Sequence, residues 1–425
     1  MEGVLSLHVT QYEDFHMGFE GFPFILGWEL TLICNLRCRH CGSSAGLSRD
    51  QELSTDEAIK ICDQLPALLV QEVNFTGGEP LLRSDWPVIA AYLGQLEIKT
   101  KFLTNGIILD QKILQQMLEL EVAGVGISLD GPKEIHDRYR RDRKGNGTFD
   151  QVMRGLKLLK EYQVEYNVLA CVARDTAKRP FEAYRFFKEE GVEFIQFTPV
   201  VERLPDASTR DLGLRLAGPA ALNRVEEHKE VTAWSVTPEG YGDFLIAVYE
   251  EWVRNDVGKT FVMNFEWALN AWIGNPSPVC IHAKQCGRSL VIEHNGDVYA
   301  CDHCVYPQYR LGNILTGTLQ DMAARSLKSG FGVTKETALP RRCRECDVLA
   351  ACRGGCPKHR FTNTFDDEPG LHYLCEGYRK YFLHIRKYLR VMAQLLEHGQ
   401  PVSLVMEALK GPLVITKGEG GGKFS

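Results

Sequence analysis

From residue 25 to residue 201 the chain alternates short apolar runs with longer amphipathic ones. The apolar runs 25–33, 72–76, 99–104, 125–129, 165–172 and 194–201 are rich in β-branched and large apolar residues and end in turn or polar residues, which predicts six strands. Ser54-Thr55-Asp56-Glu57 opens the first amphipathic run as a helix start, and Ala58, Ile61, Leu65 and Leu68 follow at helical spacing. Residues 109–121, 149–162 and 181–190 repeat the pattern, the last directly after Pro180. Strands joined by crossovers that carry a helix run parallel, so six such units predict an α/β fold, an open partial (β/α)6 barrel of TIM-like kind. Residues 203–236, with Pro205, Pro219 and several charges, interrupt the repeat and read as an inserted loop. Residues 374–409 read as a late helix, and the glycine-rich stretch 417–423 has the composition of a flexible tail.

Length and charge narrow the class. The 425 residues exceed an ordinary single domain, and 44% hydrophobic with 24% charged residues is the composition of a chain with a sizeable core. A net charge of −6 argues against nucleic acid as the main partner. No apolar run is long enough to cross a bilayer, and Met1-Glu2-Gly3-Val4 does not begin a secretory signal, so no membrane partner and a cytoplasmic location are expected. In that compartment the 14 cysteines are expected to be thiols or metal ligands rather than disulfides.

Three of them stand in Cys34-Asn35-Leu36-Arg37-Cys38-Arg39-His40-Cys41, at the end of the first predicted strand. A cubane iron–sulfur cluster has four irons, normally held by four thiolates, so three close cysteines leave one iron open to a further ligand. Zinc is the alternative, though it usually takes four ligands from paired C-x2-C units. The C-x3-C-x2-C run resembles the signature of the radical S-adenosylmethionine (SAM) superfamily, in which the open iron binds SAM and one electron releases a 5′-deoxyadenosyl radical.

Glycines at Gly77-Gly78-Glu79-Pro80 follow the second predicted strand, where backbone must approach a neighbour closely. The third and fourth strands end in Thr104-Asn105-Gly106 and Ser128-Leu129-Asp130-Gly131, and ligand-binding residues of βα barrels gather at such carboxyl ends. By the same resemblance, Gly77, Gly78 and Glu79 receive the amino group of SAM, and Ser128 and Arg140 contact its carboxylate or ribose. For Arg140 a solvated basic loop is the alternative.

A second array begins after residue 258: Cys280, Cys286, Cys301, Cys343, Cys346, Cys352, Cys356 and Cys375. Eight cysteines suffice for two further cubane clusters with every iron ligated. The C-x2-C-x5-C-x3-C run from Cys343 to Cys356 resembles the SPASM extension of radical enzymes that modify peptides and proteins. That resemblance assigns Cys280, Cys286, Cys301 and Cys356 to an inner cluster and Cys343, Cys346, Cys352 and Cys375 to an outer one, with a zinc ribbon at 343–356 as the alternative. The implied domains are a radical SAM partial barrel with an N-terminal extension at 1–257, a SPASM domain at 258–380, and a C-terminal helix and tail at 381–425. Cys62, Cys171 and Cys304 fall outside the count and are expected to pack as small apolar residues; Cys304, one turn from Cys301, could also supplement a ligand or act as a redox thiol.

Longer stretches, among them Gln196-Phe197-Thr198-Pro199-Val200-Val201-Glu202-Arg203, residues 293–303, Leu311-Gly312-Asn313-Ile314 and Gly354-Gly355-Cys356-Pro357-Lys358-His359-Arg360-Phe361, resemble anaerobic sulfatase-maturating enzymes. The resemblance implies an oxidoreductase with three 4Fe-4S clusters and SAM that oxidises a cysteine or serine of a sulfatase, within Cys/Ser-x-Pro-x-Arg, to Cα-formylglycine. It also implies Asp302 as the general base, a protein or peptide substrate, and an external one-electron donor such as flavodoxin or ferredoxin. The chain departs from the family in Gly42-Ser43-Ser44, where tyrosines are usual, and at Cys304, where phenylalanine is usual. A radical SAM/SPASM maturase that crosslinks a precursor peptide is the alternative product chemistry.

Overall fold

Leu26, Trp28 and Leu30, at alternate positions and so on one face of strand β1 (Ile25–Thr31), are fully buried in the core. The computed structural model describes residues 25–42, 45, 51–211, 216–219, 229–287 and 289–410. Ser43, Ser44, most of the insertion at 212–228, and the glycine-rich tail lie outside the described residues.

Beside β1 run β2 (Glu72–Gly77), β3 (Lys99–Thr104), β4 (Gly124–Ser128), β5 (Tyr166–Val172) and β6 (Phe194–Pro199), in chain order and all parallel. The six-strand expectation thus holds, with β1 and β6 each ending two residues early. The short β7 (Phe261–Val262) continues the sheet beyond β6. At the other edge β8 (Val291–Ile292) pairs parallel with β1, and β9 (Asp297–Tyr299) and β10 (Arg310–Asn313) follow antiparallel. The sheet is open, with β10 at one edge and β7 at the other. Segments on both sides of residue 258 therefore build one sheet.

The crossover helices are α1 (Thr55–Cys62), α2 (Trp86–Gln95), α3 (Gln111–Glu119), α4 (Lys133–Tyr139), α5 (Phe149–Glu161) and α6 (Pro180–Glu189). The expected capping box forms at α1: Glu57 N donates to Ser54 Oγ at 3.3 Å and Ser54 N to Glu57 Oε2 at 2.8 Å. Further helices include α7 (Pro238–Asn255), α8 (Met263–Trp272) and α9 (Cys375–Glu397). Thr237 caps α7, its Oγ1 accepting from Gly240 N, and Pro238 takes the first turn, where a missing N–H costs nothing. α7 and α9 cross at a pair of glycines. A Cβ on Gly377 would lie 1.9 Å from Pro238 O and one on Gly242 2.6 Å from Gly377 O, so only glycine lets the two backbones meet. This contact joins α9 to the barrel and fixes Cys375 at its start. No helix of the described residues is long and apolar enough to cross a membrane.

Candidate cofactor and active site

The loop after β1 brings Cys34, Cys38 and Cys41 together with Leu36, Ala45 and Ile107. Burial pushes the Cys34 thiol up to about 11 and the Cys38 thiol up to about 12, and the three sulfurs act on one another in the same sense. Such a set holds thiolates only with a cation at its centre, the condition a metal cluster meets. Asn105 Nδ2 donates to Asn35 Oδ1 at 2.8 Å and more weakly to Cys34 Sγ at 3.9 Å, while Arg143 Nε donates to Cys34 O at 3.0 Å. Neither Asn105 nor Arg143 was a sequence candidate, although Asn105 carried the signal of a polar strand end.

Gly77 and Gly78 clamp the root of that loop. Gly77 has φ +116°, and a Cβ there would lie 2.3 Å from Thr31 O; one on Gly78 would lie 2.2 Å from Ile33 O. Gly78 N donates to Thr31 O at 2.6 Å and Glu79 N to Ile33 O at 2.9 Å. The close neighbour the glycines permit is thus the backbone that leads into the cysteine loop. Glu79 is fully buried, and its carboxylate accepts from Thr104 Oγ1 at 2.6 Å and Asn105 N at 2.8 Å. Burial outweighs these donors and pushes its carboxyl up to about 7.

Ser128 stands at the end of β4, half-buried. Arg140 is buried rather than solvated: its Nε and Nη2 hold the two oxygens of Asp130 at 2.9 and 3.0 Å, and Nη2 also reaches Cys171 Sγ at 3.5 Å. Burial disfavours the Asp130 charge, yet Arg140 overcomes it and holds the carboxyl below its ordinary range. Asp130, 1% exposed, also accepts from the backbone N–H of Cys171 at 2.9 Å, while the Cys171 thiol packs against the guanidinium. Removing one partner of a buried pair leaves the other charge uncompensated. Asp130→Asn is accordingly expected to lower stability by about 3–5 kcal/mol, read by anaerobic denaturant unfolding; a change under about 1 kcal/mol would be that of an exposed pair.

The second array resolves into two sets. Cys343, Cys346, Cys352 and Cys375 bound a cavity of about 420 Å³ that Arg341, Arg342 and Arg379 also line. Burial raises the Cys352 thiol to about 11 and Cys375 to about 12, with neighbouring cysteines adding to the effect. Cys280, Cys286, Cys301 and Cys356 face one another in the inner set. Four thiolates on one zinc ion would sit roughly 3.8 Å apart, given a Zn–S bond of about 2.3 Å. Among the described residues, no three cysteine sulfurs come within 4.8 Å of one another. Both sets are therefore spread for a larger group than a single ion. Two buried cations that sequence reasoning missed fix these loops: Lys335 Nζ donates to Cys280 O at 2.9 Å, Ile281 O at 3.2 Å and Ala283 O, and Arg360 Nε donates to Gly354 O at 2.8 Å.

Cys304 joins the inner set. It is 4% exposed, shares a hydrogen bond with Cys301 and stands close enough to Cys286 to act on it electrostatically. Asp302 and His303 keep accessible surface beside Cys301. Burial opposes the Asp302 charge, but His303, Cys301 and Lys358 overcome it and hold the carboxyl below its ordinary range. Asp302 in turn, with a hydrogen bond of 3.4 Å between His303 Nδ1 and Cys356 Sγ, pushes the imidazole up to about 9.

A three-cysteine loop at the carboxyl end of an open parallel sheet, followed by two further thiol sets, defines a radical SAM enzyme with an iron–sulfur-binding extension. The profile of the Radical SAM superfamily matches residues 28–187, and that of the SPASM iron–sulfur cluster-binding domain matches residues 280–347. The chain is 40% identical over 407 residues to the serine-type anaerobic sulfatase-maturating enzyme of Bacteroides thetaiotaomicron, covering 91% of this chain and 95% of that protein. It therefore belongs to the family of anaerobic sulfatase-maturating enzymes. A solved structure, native anSMEcpe with bound AdoMet and Cp18Cys peptide, superposes with a TM-score of 0.74 at 26% identity, covering 88% of this chain and 99% of that one. The mycofactocin maturase of Mycolicibacterium smegmatis is 30% identical over 82% of this chain and 81% of its own length.

Proposed function

We propose that this protein oxidises Cβ of a serine or cysteine in a sulfatase to the aldehyde of Cα-formylglycine. The observation that carries this reading is the place of the Asp302 carboxylate, which keeps accessible surface directly beside Cys301 of the inner set. Cys34, Cys38 and Cys41 would hold the cluster that binds SAM, the inner and outer sets would hold two further 4Fe-4S clusters, and together these groups supply a hydrogen-abstracting radical and a sink for the second electron. What the chain must add is a place for the proton. Asp302 accepts it from the target residue's hydroxyl or thiol, as a carboxylate within hydrogen-bond reach is suited to do. His303 and Lys358, both cationic neighbours, keep Asp302 in the basic form beforehand.

Residues 1–257 are proposed as the radical SAM unit, 258–380 as the SPASM unit and 381–425 as a C-terminal helix and tail. Gly77, Gly78, Glu79, Ser128 and Arg140 are proposed around SAM. The buried Asp130 pair supports Arg140 in that place, since it orients the guanidinium and leaves Nη1 without a partner there. An external one-electron donor of the flavodoxin or ferredoxin class is proposed to reduce the first cluster. A cytoplasmic location is supported by 14 cysteines, none of which forms a disulfide.

The test is an anaerobic incubation of reconstituted protein with SAM, a reductant and peptides containing Ser-x-Pro-x-Arg or Cys-x-Pro-x-Arg, read by mass spectrometry. The expected result is 5′-deoxyadenosine together with oxidised peptide. The serine peptide loses a pair of hydrogen atoms, and the cysteine peptide loses the same pair and has its sulfur replaced by oxygen. 5′-Deoxyadenosine with neither product would favour a crosslinking maturase, the reading that the similarity to the mycofactocin maturase supports.

A further inference from the structure

Glu202 leaves the carboxyl end of β6, and Lys358 follows Cys356 of the inner set; neither has a part in the chemistry above beyond the charge that Lys358 lends to Asp302. Their side chains are only 11% and 14% exposed and meet at 3.1 Å. Lys358 Nζ donates to Glu202 Oε1, which leaves two of the ammonium's three donors without a partner among the described residues. Glu202 Oε2 is buried and likewise has no hydrogen-bond partner there. A buried carboxylate oxygen left unpaired is costly, and a bound group that donates to it removes that cost.

The pair sits between the two thiol loops. A Cβ on Gly42, directly after Cys41, would lie 3.8 Å from Glu202 Oε1. On the other side Lys358 acts on Asp302, and both Lys358 and Glu202 act on the phenol of Tyr306. A group bound here would therefore lie next to the carboxylate assigned as base, with the SAM loop on its opposite flank.

Its chemistry follows from the pair. Glu202 offers an acceptor and Lys358 donors, side by side and with no net charge. A further cation, such as an arginine side chain, would be opposed by Lys358, whereas an N–H and a C=O of one neutral peptide unit satisfy both groups. We propose that Glu202 and Lys358 grip one backbone peptide unit of the protein substrate beside the target residue, Glu202 Oε2 accepting the N–H and Lys358 Nζ donating to the C=O. The assignment rests on the reading of this protein as a peptide oxidase and names two substrate-binding residues for it.

The experiment compares wild type with Glu202→Gln and with Glu202→Gln/Lys358→Met, which leaves no unpaired charge in case a single change perturbs folding. Anaerobic fluorescence anisotropy with labelled Ser-x-Pro-x-Arg and Cys-x-Pro-x-Arg peptides gives the peptide Kd, alongside iron content, SAM affinity and turnover. Hydrogen bonds to charged groups predict peptide affinity about tenfold to a hundredfold weaker, with KM raised, and iron and SAM affinity unchanged. An unchanged peptide Kd, a fall in SAM affinity instead, or loss of iron in the double variant would overturn the proposal alone. Wild-type protein that neither binds nor oxidises either peptide would overturn the formylglycine reading, and this assignment with it.

Discussion

Replacing Cys34, Cys38 and Cys41 together by alanine is expected to abolish 5′-deoxyadenosine formation while the protein stays folded and keeps the iron of its other two thiol sets. The loop is held by contacts that the sulfurs do not make: Arg37 N and Arg39 N donate to Arg141 O and Tyr139 O at 2.8 and 3.0 Å, and Gly78 and Glu79 bind its root. Exchanging three small thiols for alanine removes little packing, so the fold survives the loss of the ligands. Neither Cys171 nor Cys62 can take over. Cys171 is bonded to Arg140 behind the Asp130 pair, and Cys62 is fully buried on α1 within the main core. Iron analysis, circular dichroism and product chromatography check this. Residual 5′-deoxyadenosine in the triple variant would place SAM cleavage at a different thiol set.

The same substitution applied to Cys343, Cys346, Cys352 and Cys375 should behave differently. Those sulfurs bound the 420 Å³ cavity and Cys375 begins α9, so their ligands tie the helix that crosses α7 at Gly242 and Gly377. Removing them loosens tertiary structure as well as removing iron.

What the chain revealed in advance was local. The Ser54 capping box, the six strand runs and the cysteine spacings each depend on residues near in sequence, and each stands in the structure where the pattern put it. The Thr237-Pro238 start of α7 was equally local but went unread, because Gly240 and Gly242 lower helix propensity and Gly242 is explained only by Gly377, far along the chain. The pairing of Gly27 with Val291, which carries the sheet from the barrel into the cysteine-rich half, has no local signature either. Side-chain pairing was hidden for the same reason. Arg140 was a candidate on its own, but nothing in the sequence showed that Asp130 would neutralise it in the core, or that Glu202 would meet Lys358 across 156 positions.

Asp302→Asn is expected to separate the two halves of the reaction. The substitution keeps the size of the side chain and an oxygen that can still accept from His303 N, now 2.9 Å from Asp302 Oδ1, so the loop at Cys301 should hold its form. It removes the negative charge and the basic lone pair. Asp302 stands beside Cys301 of the inner set, apart in sequence from the loop of Cys34, Cys38 and Cys41, so 5′-deoxyadenosine should still form. Aldehyde formation needs a proton to leave the target residue as the second electron departs, and a positioned carboxylate contributes on the order of a hundredfold to ten-thousandfold to such a transfer. The expected result is therefore 5′-deoxyadenosine at near wild-type rate with oxidised peptide reduced by at least about a hundredfold. Recovery of deuterium in 5′-deoxyadenosine from a peptide labelled at Cβ would show that the hydrogen is still taken and that the block lies after it. Full product formation by the variant would remove Asp302 from the chemistry and leave its place beside Cys301 a matter of packing with His303.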